Sequence, residues 1–154
     1  MKSTKIFIAS SSELQMERME IVDLIQDLND EFEIRDIKLK PVLWEYMDSS
    51  MGEKRKEDEY LDKLKECDIC LVLFWNTLGE YTVEELDVAI SEMKAGRHPR
   101  QVYVLFKESN NETSKELRLF KKTFSQKYVN IPNHSFDSNK TLREHITYIL
   151  ANIL

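Results

Sequence analysis

Hydrophobic and polar positions along this chain follow two alternating periods. Short apolar, β-rich runs occupy Lys5 to Ser10, Leu39 to Tyr46, Ile69 to Trp75, Gln101 to Lys107 and Lys127 to Ile131. Between them apolar residues recur at the spacing that puts them on one face of a helix. Leu14, Ile21, Ile25, Leu28 and Phe32 form such a stripe in a helix predicted from Glu13 to Phe32, opened by a capping box of Ser12 and Gln15. A second helix, Glu53 to Glu66, carries only Tyr60, Leu61 and Leu64 and reads as mostly solvated. The third, Val83 to Lys94, uses Val83, Leu86, Ile90 and Met93 and stops near Gly96. Asn110 to Phe124 and Asn139 to Leu154 complete the set, with Leu117, Phe120 and Phe124 on one and Leu142, Ile146, Ile149 or Leu150, and Ile153 on the other.

Strands alternating with helices imply parallel strands joined by right-handed crossovers. The first, third and fourth runs are almost continuously apolar, as strands covered on both faces should be. The fold class expected is therefore α/β: a flavodoxin-like, doubly wound parallel sheet of five strands in the order 2-1-3-4-5, with helices on both faces. In such sheets ligands lie outside the carboxyl ends of the strands, at the point where strand order reverses. That point falls between strands one and three. Its walls would be Ser10-Ser11-Ser12 and the loop from Asn76 to Tyr81.

At 154 residues the chain fits a single domain, and 42% hydrophobic with 32% charged residues marks an ordinary globular protein. A net charge of -6 opposes binding to a phosphate backbone, so nucleic acid is not an expected direct partner. The one basic cluster, Lys54-Arg55-Lys56, is flanked by acids and reads as a solvated helix face. The N-terminus lacks the long apolar core of a secretory signal, and no run reaches membrane-spanning length. A cytoplasmic protein without a membrane partner is expected. Cys67-Asp68-Ile69-Cys70 has C-x-x-C spacing, but it closes a helix and enters a strand, the reverse of a thioredoxin-like site. Cys70 then reads as a small apolar strand residue.

Several residues near the expected crevice bear chemistry. Ser10, Ser11 and Ser12 precede a helix whose N-terminus favours an anion such as phosphate, although a serine there can equally serve as a cap. Glu84 and Glu85 open the third helix, yet Thr82-Val83-Glu84-Glu85 also matches a capping box. On a helical wheel both acids lie off the apolar stripe, so both can face water. Trp44, Tyr46 and Trp75 gather at the strand ends, where a ring can stack on a base or nicotinamide or simply fill the core. His98, His134 and His145 lie away from the crevice, and no metal site is expected. The isolated Gly52, Gly79 and Gly96 provide no glycine-rich phosphate loop, which excludes a Walker-type ATPase or a Rossmann dehydrogenase.

Phe7-Ile8-Ala9-Ser10, Leu43-Trp44-Glu45, and Phe74-Trp75-Asn76-Thr77-Leu78-Gly79 followed by Thr82-Val83-Glu84-Glu85-Leu86-Asp87-Val88-Ala89 together resemble the TIR family. More narrowly, they are similar to the TIR-like domains that head bacterial immune and NTPase-linked proteins. The resemblance spans the whole chain in element order, with specific motifs confined to these segments. It implies that Tyr81 takes the aromatic position of enzymatic TIR domains and Glu85 the catalytic one, with Leu86 and Ala89 matching the rest. Tyr81 stands where the family usually has Trp, and Glu84 is the alternative acid.

The reaction implied is cleavage of the nicotinamide to ribose bond of NAD+, giving ADP-ribose or a cyclic product. NAD+ is the substrate, and no separate cofactor is implied. The resemblance further implies self-association, in part through the Met47 to Lys56 loop, and a sensor or oligomerisation domain in a larger parent protein of anti-phage defence. Two alternatives stay open. One is a nucleoside 2-deoxyribosyltransferase-like enzyme, since Thr82-Val83-Glu84-Glu85-Leu86 also resembles that family's T-x-x-E-L, whose glutamate is a covalent nucleophile. The other is a TIR scaffold or nucleotide-binding module without catalysis.

Overall fold

The strand β1 (Lys2–Ser10) runs through the middle of the molecule because its side chains, alternating with period two, meet a core on each face. Ile6 and Ile8 enter one core, Phe7 and Ala9 the other. The computed structural model describes residues 2–43 and 56–153, so Trp44, Tyr46 and the Met47 to Arg55 part of the second loop lie outside the described residues.

β2 (Ile37–Leu43) and β3 (Ile69–Phe74) flank β1, and β4 (Gln101–Lys107) and β5 (Asn133–Phe136) continue outward from β3. All pairings are parallel and the order is β2-β1-β3-β4-β5. The protein has the flavodoxin-like α/β fold its pattern predicts. α1 (Gln15–Phe32) and α5 (Asn139–Ile153) cover one face of the sheet. The other face carries α2 (Lys56–Leu64), α3 (Glu80–Lys94) and α4 (Lys115–Lys127).

Packing explains why the central strands read so clearly. All six residues of β3 are buried. Each fully buried aliphatic or aromatic side chain contributes roughly 1.5–3 kcal/mol, so β3 and its neighbours anchor the sheet from both sides. Beneath α4 the anchor is aromatic: Phe124 meets Phe106 and Phe120 edge-on at 5.5 and 5.7 Å and stacks on Tyr128 at 4.9 Å between ring centroids.

The fifth strand is not where the pattern puts it. Lys127 ends α4, and Tyr128 and Ile131 bury their side chains in the same aromatic core rather than in the sheet. Asn130 turns the chain in the left-handed region, φ 67°, a conformation asparagine tolerates better than most residues. The strand that follows, Asn-His-Ser-Phe, buries only Phe136. It lies at the sheet edge, where a short polar strand discourages pairing with another chain. Little apolar signal remains there to be read.

Helix starts shift for local reasons. α4 begins later than predicted because Ser114 caps it, accepting the Leu117 N–H at 3.1 Å. β3 ends at Phe74, one residue before Trp75. No capping box forms at Ser12 and Gln15. A single 3-10 turn, Ser12–Leu14, intervenes, and neither it nor α1 has a side-chain cap.

Candidate functional site

β1 and β3 lie side by side, with Ser10 level with Leu73, yet β1 leads to α1 on one face and β3 to α3 on the other. The divergence opens a cleft of about 310 Å³ at the carboxyl edge of the sheet. Ser10, Ser11, Ser12 and Arg18 form one wall, Tyr60 and Leu61 of α2 another, and the run from Gly79 to Thr82 with Glu84 and Glu85 a third. The switch point predicted from strand order is therefore a real cavity. Its size is near the lower end of small-molecule sites, about 300–1,000 Å³.

α3 starts at Glu80, with Gly79 as its N-cap and the Gly79 carbonyl accepting the Val83 N–H at 3.1 Å. Thr82 and Glu85 are thus inside the helix, and the predicted capping box does not exist. The buried face also differs from the predicted stripe of Val83, Leu86, Ile90 and Met93. Thr82, Glu85, Leu86, Ala89 and Ile90 point inward, so Glu85 is only 7% exposed, whereas Glu84 is half-buried on the cleft rim. The expectation that both acids can face water fails for Glu85. Its charge reaches the sheet: after burial, Glu85 is the next cause pushing the Cys70 thiol well above its ordinary range.

The serine wall is held by side chains that the linear pattern does not connect. Arg18, only 5% exposed, donates from Nη1 to Ser10 Oγ and, at 2.8 Å, to the Ser11 carbonyl. Ser11 Oγ donates to Glu13 Oε2 at 2.9 Å instead of capping a helix. Tyr60 is buried against Phe7 at 4.3 Å between centroids, and its hydroxyl donates to the Ile8 carbonyl at 2.8 Å. The guanidinium of Arg18 and the carboxylates of Glu80, Glu84 and Glu85 thus line the same cleft from different elements.

Of the residues expected at the site, Ser10, Ser11, Ser12, Tyr81, Glu84 and Glu85 meet around this cleft, with Tyr81 47% exposed at its mouth. Trp75 does not. It packs on the α1 and α5 side, its Nε1 donates to the Glu108 carbonyl at 3.0 Å, and Lys107 Nζ lies 3.9 Å from the centre of its ring. The side chain leaving a strand end alternates between faces, and Trp75 takes the face opposite the cleft. Trp44 and Tyr46 lie outside the described residues.

Arg18 and Tyr60 are the residues sequence reasoning missed. A signal existed for the first: Arg18 falls between Leu14 and Ile21 on the buried stripe of α1, where a charge is out of place unless it has work to do. Among the described residues no group of three or more His, Cys, Asp and Glu side chains is placed to hold a metal ion. No helix among them is long and apolar enough to cross a membrane. Cys67 and Cys70 are both buried free thiols, and burial pushes Cys67 up to about 12, the opposite of a reactive thiolate.

A family model described as a domain of unknown function, DUF4062, matches residues 5–151. The chain belongs to the DUF4062 family. The match takes in every element that builds the cleft, from β1 through α3. No curated protein matches the chain. Among solved structures, the crystal structure of RosB with the bound intermediate 8-demethyl-8-formylriboflavin-5'-phosphate is similar at 12% identity, with a TM-score of 0.42 and coverage of 99% of this chain and 81% of RosB.

Proposed function

We propose that the cleft between β1 and β3 binds NAD+ and that the protein cleaves its nicotinamide to ribose bond, with Glu85 as the catalytic residue. The observation that carries this reading is a carboxylate, 7% exposed, on the wall of a 310 Å³ cavity at the topological switch point. The similarity of Tyr81 to Ala89 to the catalytic segment of TIR domains supports it.

Nicotinamide leaves a cationic substrate as a neutral molecule, so no acid has to protonate it. Positive charge develops instead on the ribose, as in other glycosidic cleavages. Glu85 stabilises that oxocarbenium-like charge and orients the ribose hydroxyls, and its burial strengthens the interaction by excluding water. Arg18 and the serine loop favour the phosphates, and the carboxylates of Glu80 and Glu84 favour the pyridinium ring. Attack by water gives ADP-ribose and releases a proton; attack by the substrate's own adenine gives a cyclic product. Self-association and a sensor domain in a parent protein belong to the same proposal.

The test is nicotinamide yield from NAD+ at high protein concentration or on a crowding surface, with Glu85→Gln as control. Release that depends on Glu85 supports the reading. Covalent capture of a fluorinated nucleoside without nicotinamide release would replace it with deoxyribosyl transfer. Assembly without turnover, lost on mutating the Met47 to Lys56 loop, would replace it with a scaffold role.

A further inference from the structure

The loops after β1 and β3 are joined by one side chain. Glu13 Oε2 accepts from Ser11 Oγ at 2.9 Å, from Thr77 N at 2.9 Å and from Thr77 Oγ1 at 2.7 Å, while Oε1 accepts from Asn76 N at 3.3 Å. A single carboxylate thus ties the serine wall to the segment that leads into α3. Contact just beyond the tie is close. A Cβ at Gly79 would stand 3.1 Å from Thr82 Oγ1 and 3.6 Å from Ser11 Cβ.

The far side of the same loop is fixed separately. Asn76, 6% exposed, accepts through Oδ1 from Thr113 Oγ1 at 2.8 Å and through its carbonyl from Ser114 N at 2.8 Å. Those bonds hold the β3 exit against the β4 exit. Pairing of Ser10 with Leu73 fixes the strand ends themselves. Beyond them, Glu13 is the side chain that bridges the serine loop to Asn76 and Thr77.

We infer that Glu13 is a positioning residue that fixes the Asn76 to Gly79 loop against the serine loop, and through it the start of α3, so that Glu85 meets the substrate in a reactive arrangement. Its catalytic consequence rests on the reading of Glu85 given above. Glutamine is the informative substitution. It keeps the size of the side chain, but one terminal atom becomes an NH2, which opposes the Asn76 N–H if it replaces Oε1 and the Thr77 N–H if it replaces Oε2, because a backbone amide can only donate.

In Glu13→Gln, kcat for nicotinamide release should fall about 10- to 100-fold, the scale of a misplaced reacting group, with KM changed by less than about threefold. Hydrogen exchange should quicken at the Asn76 and Thr77 amides and stay unchanged in β1, β3 and β4. Thr77→Val removes one of the four bonds and should lower kcat less. Added to Glu13→Gln it should cost almost nothing further, because both act through one contact. An unaltered kcat with both amides deprotected would overturn the positioning role, and unaltered amides would overturn the clamp itself. If the wild-type chain releases no nicotinamide, the reading of Glu85 fails on its own. The clamp is then judged by amide exchange alone: faster exchange confined to Asn76 and Thr77 supports it, and no change overturns it.

Discussion

Replacing Glu85 by glutamine changes the charge of the cleft and leaves its shape nearly intact, while the same change at Glu84 alters the rim. A carboxylate about 4 Å from a developing positive charge contributes about 4 kcal/mol at an effective dielectric of 20, and about 1 kcal/mol where water screens it fully. Glu85, 7% exposed, belongs near the first limit and half-buried Glu84 nearer the second. Converted at about 1.36 kcal/mol per factor of ten, Glu85→Gln should lower nicotinamide release by about 10²- to 10³-fold, in line with the loss of one preorganised electrostatic group. Glu84→Gln should cost about fivefold. The assay is chromatographic quantitation of nicotinamide from NAD+ at matched high protein concentration, with circular dichroism melts to show that both variants fold. Equal losses from the two substitutions, or no loss from either, would refute the argument that burial makes Glu85 the working acid.

Stability and thiol chemistry supply further checks. Phe124→Ala should destabilise the fold by about 3–5 kcal/mol in urea titration, because the ring is 1% exposed and its removal strips three aromatic neighbours of a contact and leaves a void that packed rings fill only in part. Burial first, and then the hydrogen bond to Asp87, hold the Tyr128 hydroxyl well above its ordinary 10.0. The fold therefore favours the neutral phenol: that contribution is complete below pH 10.0 and is lost as pH rises toward the folded value. Melting temperature should accordingly fall more steeply above pH 10.0 in the wild type than in Tyr128→Phe. Iodoacetamide should leave both Cys67 and Cys70 unmodified at neutral pH in the folded protein and alkylate both in denaturant, as mass spectrometry would show.

How far the site was legible depends on the range of the interaction that creates it. Glu85 was visible through its motif, but its burial was not, because only the packing of α3 in the fold shows that its covered face takes in the polar residues Thr82 and Glu85 beside Leu86 and Ile90. Arg18 was visible as a charge on the apolar stripe of α1, yet its partners, Ser10 and Ser11, lie before the helix and only the fold shows that they share a wall with α3. Trp75 was placed at the right strand end, but only the fold shows that its ring takes the α1 and α5 side, against Lys107 and Glu108 and away from the cleft.

The chain alone determined the alternation of strands and helices, the doubly buried character of β1, β3 and β4, and the handed crossovers that put the switch point between β1 and β3. These follow from periodicity and chirality, which act over a few residues and over single connections. Tertiary structure alone decided the polar edge strand β5, the inward turn of Glu85, the guanidinium in the serine wall and the carboxylate that ties two loops together. Each depends on a neighbour distant in sequence, because burial and hydrogen bonding are properties of what covers a side chain and not of the side chain itself.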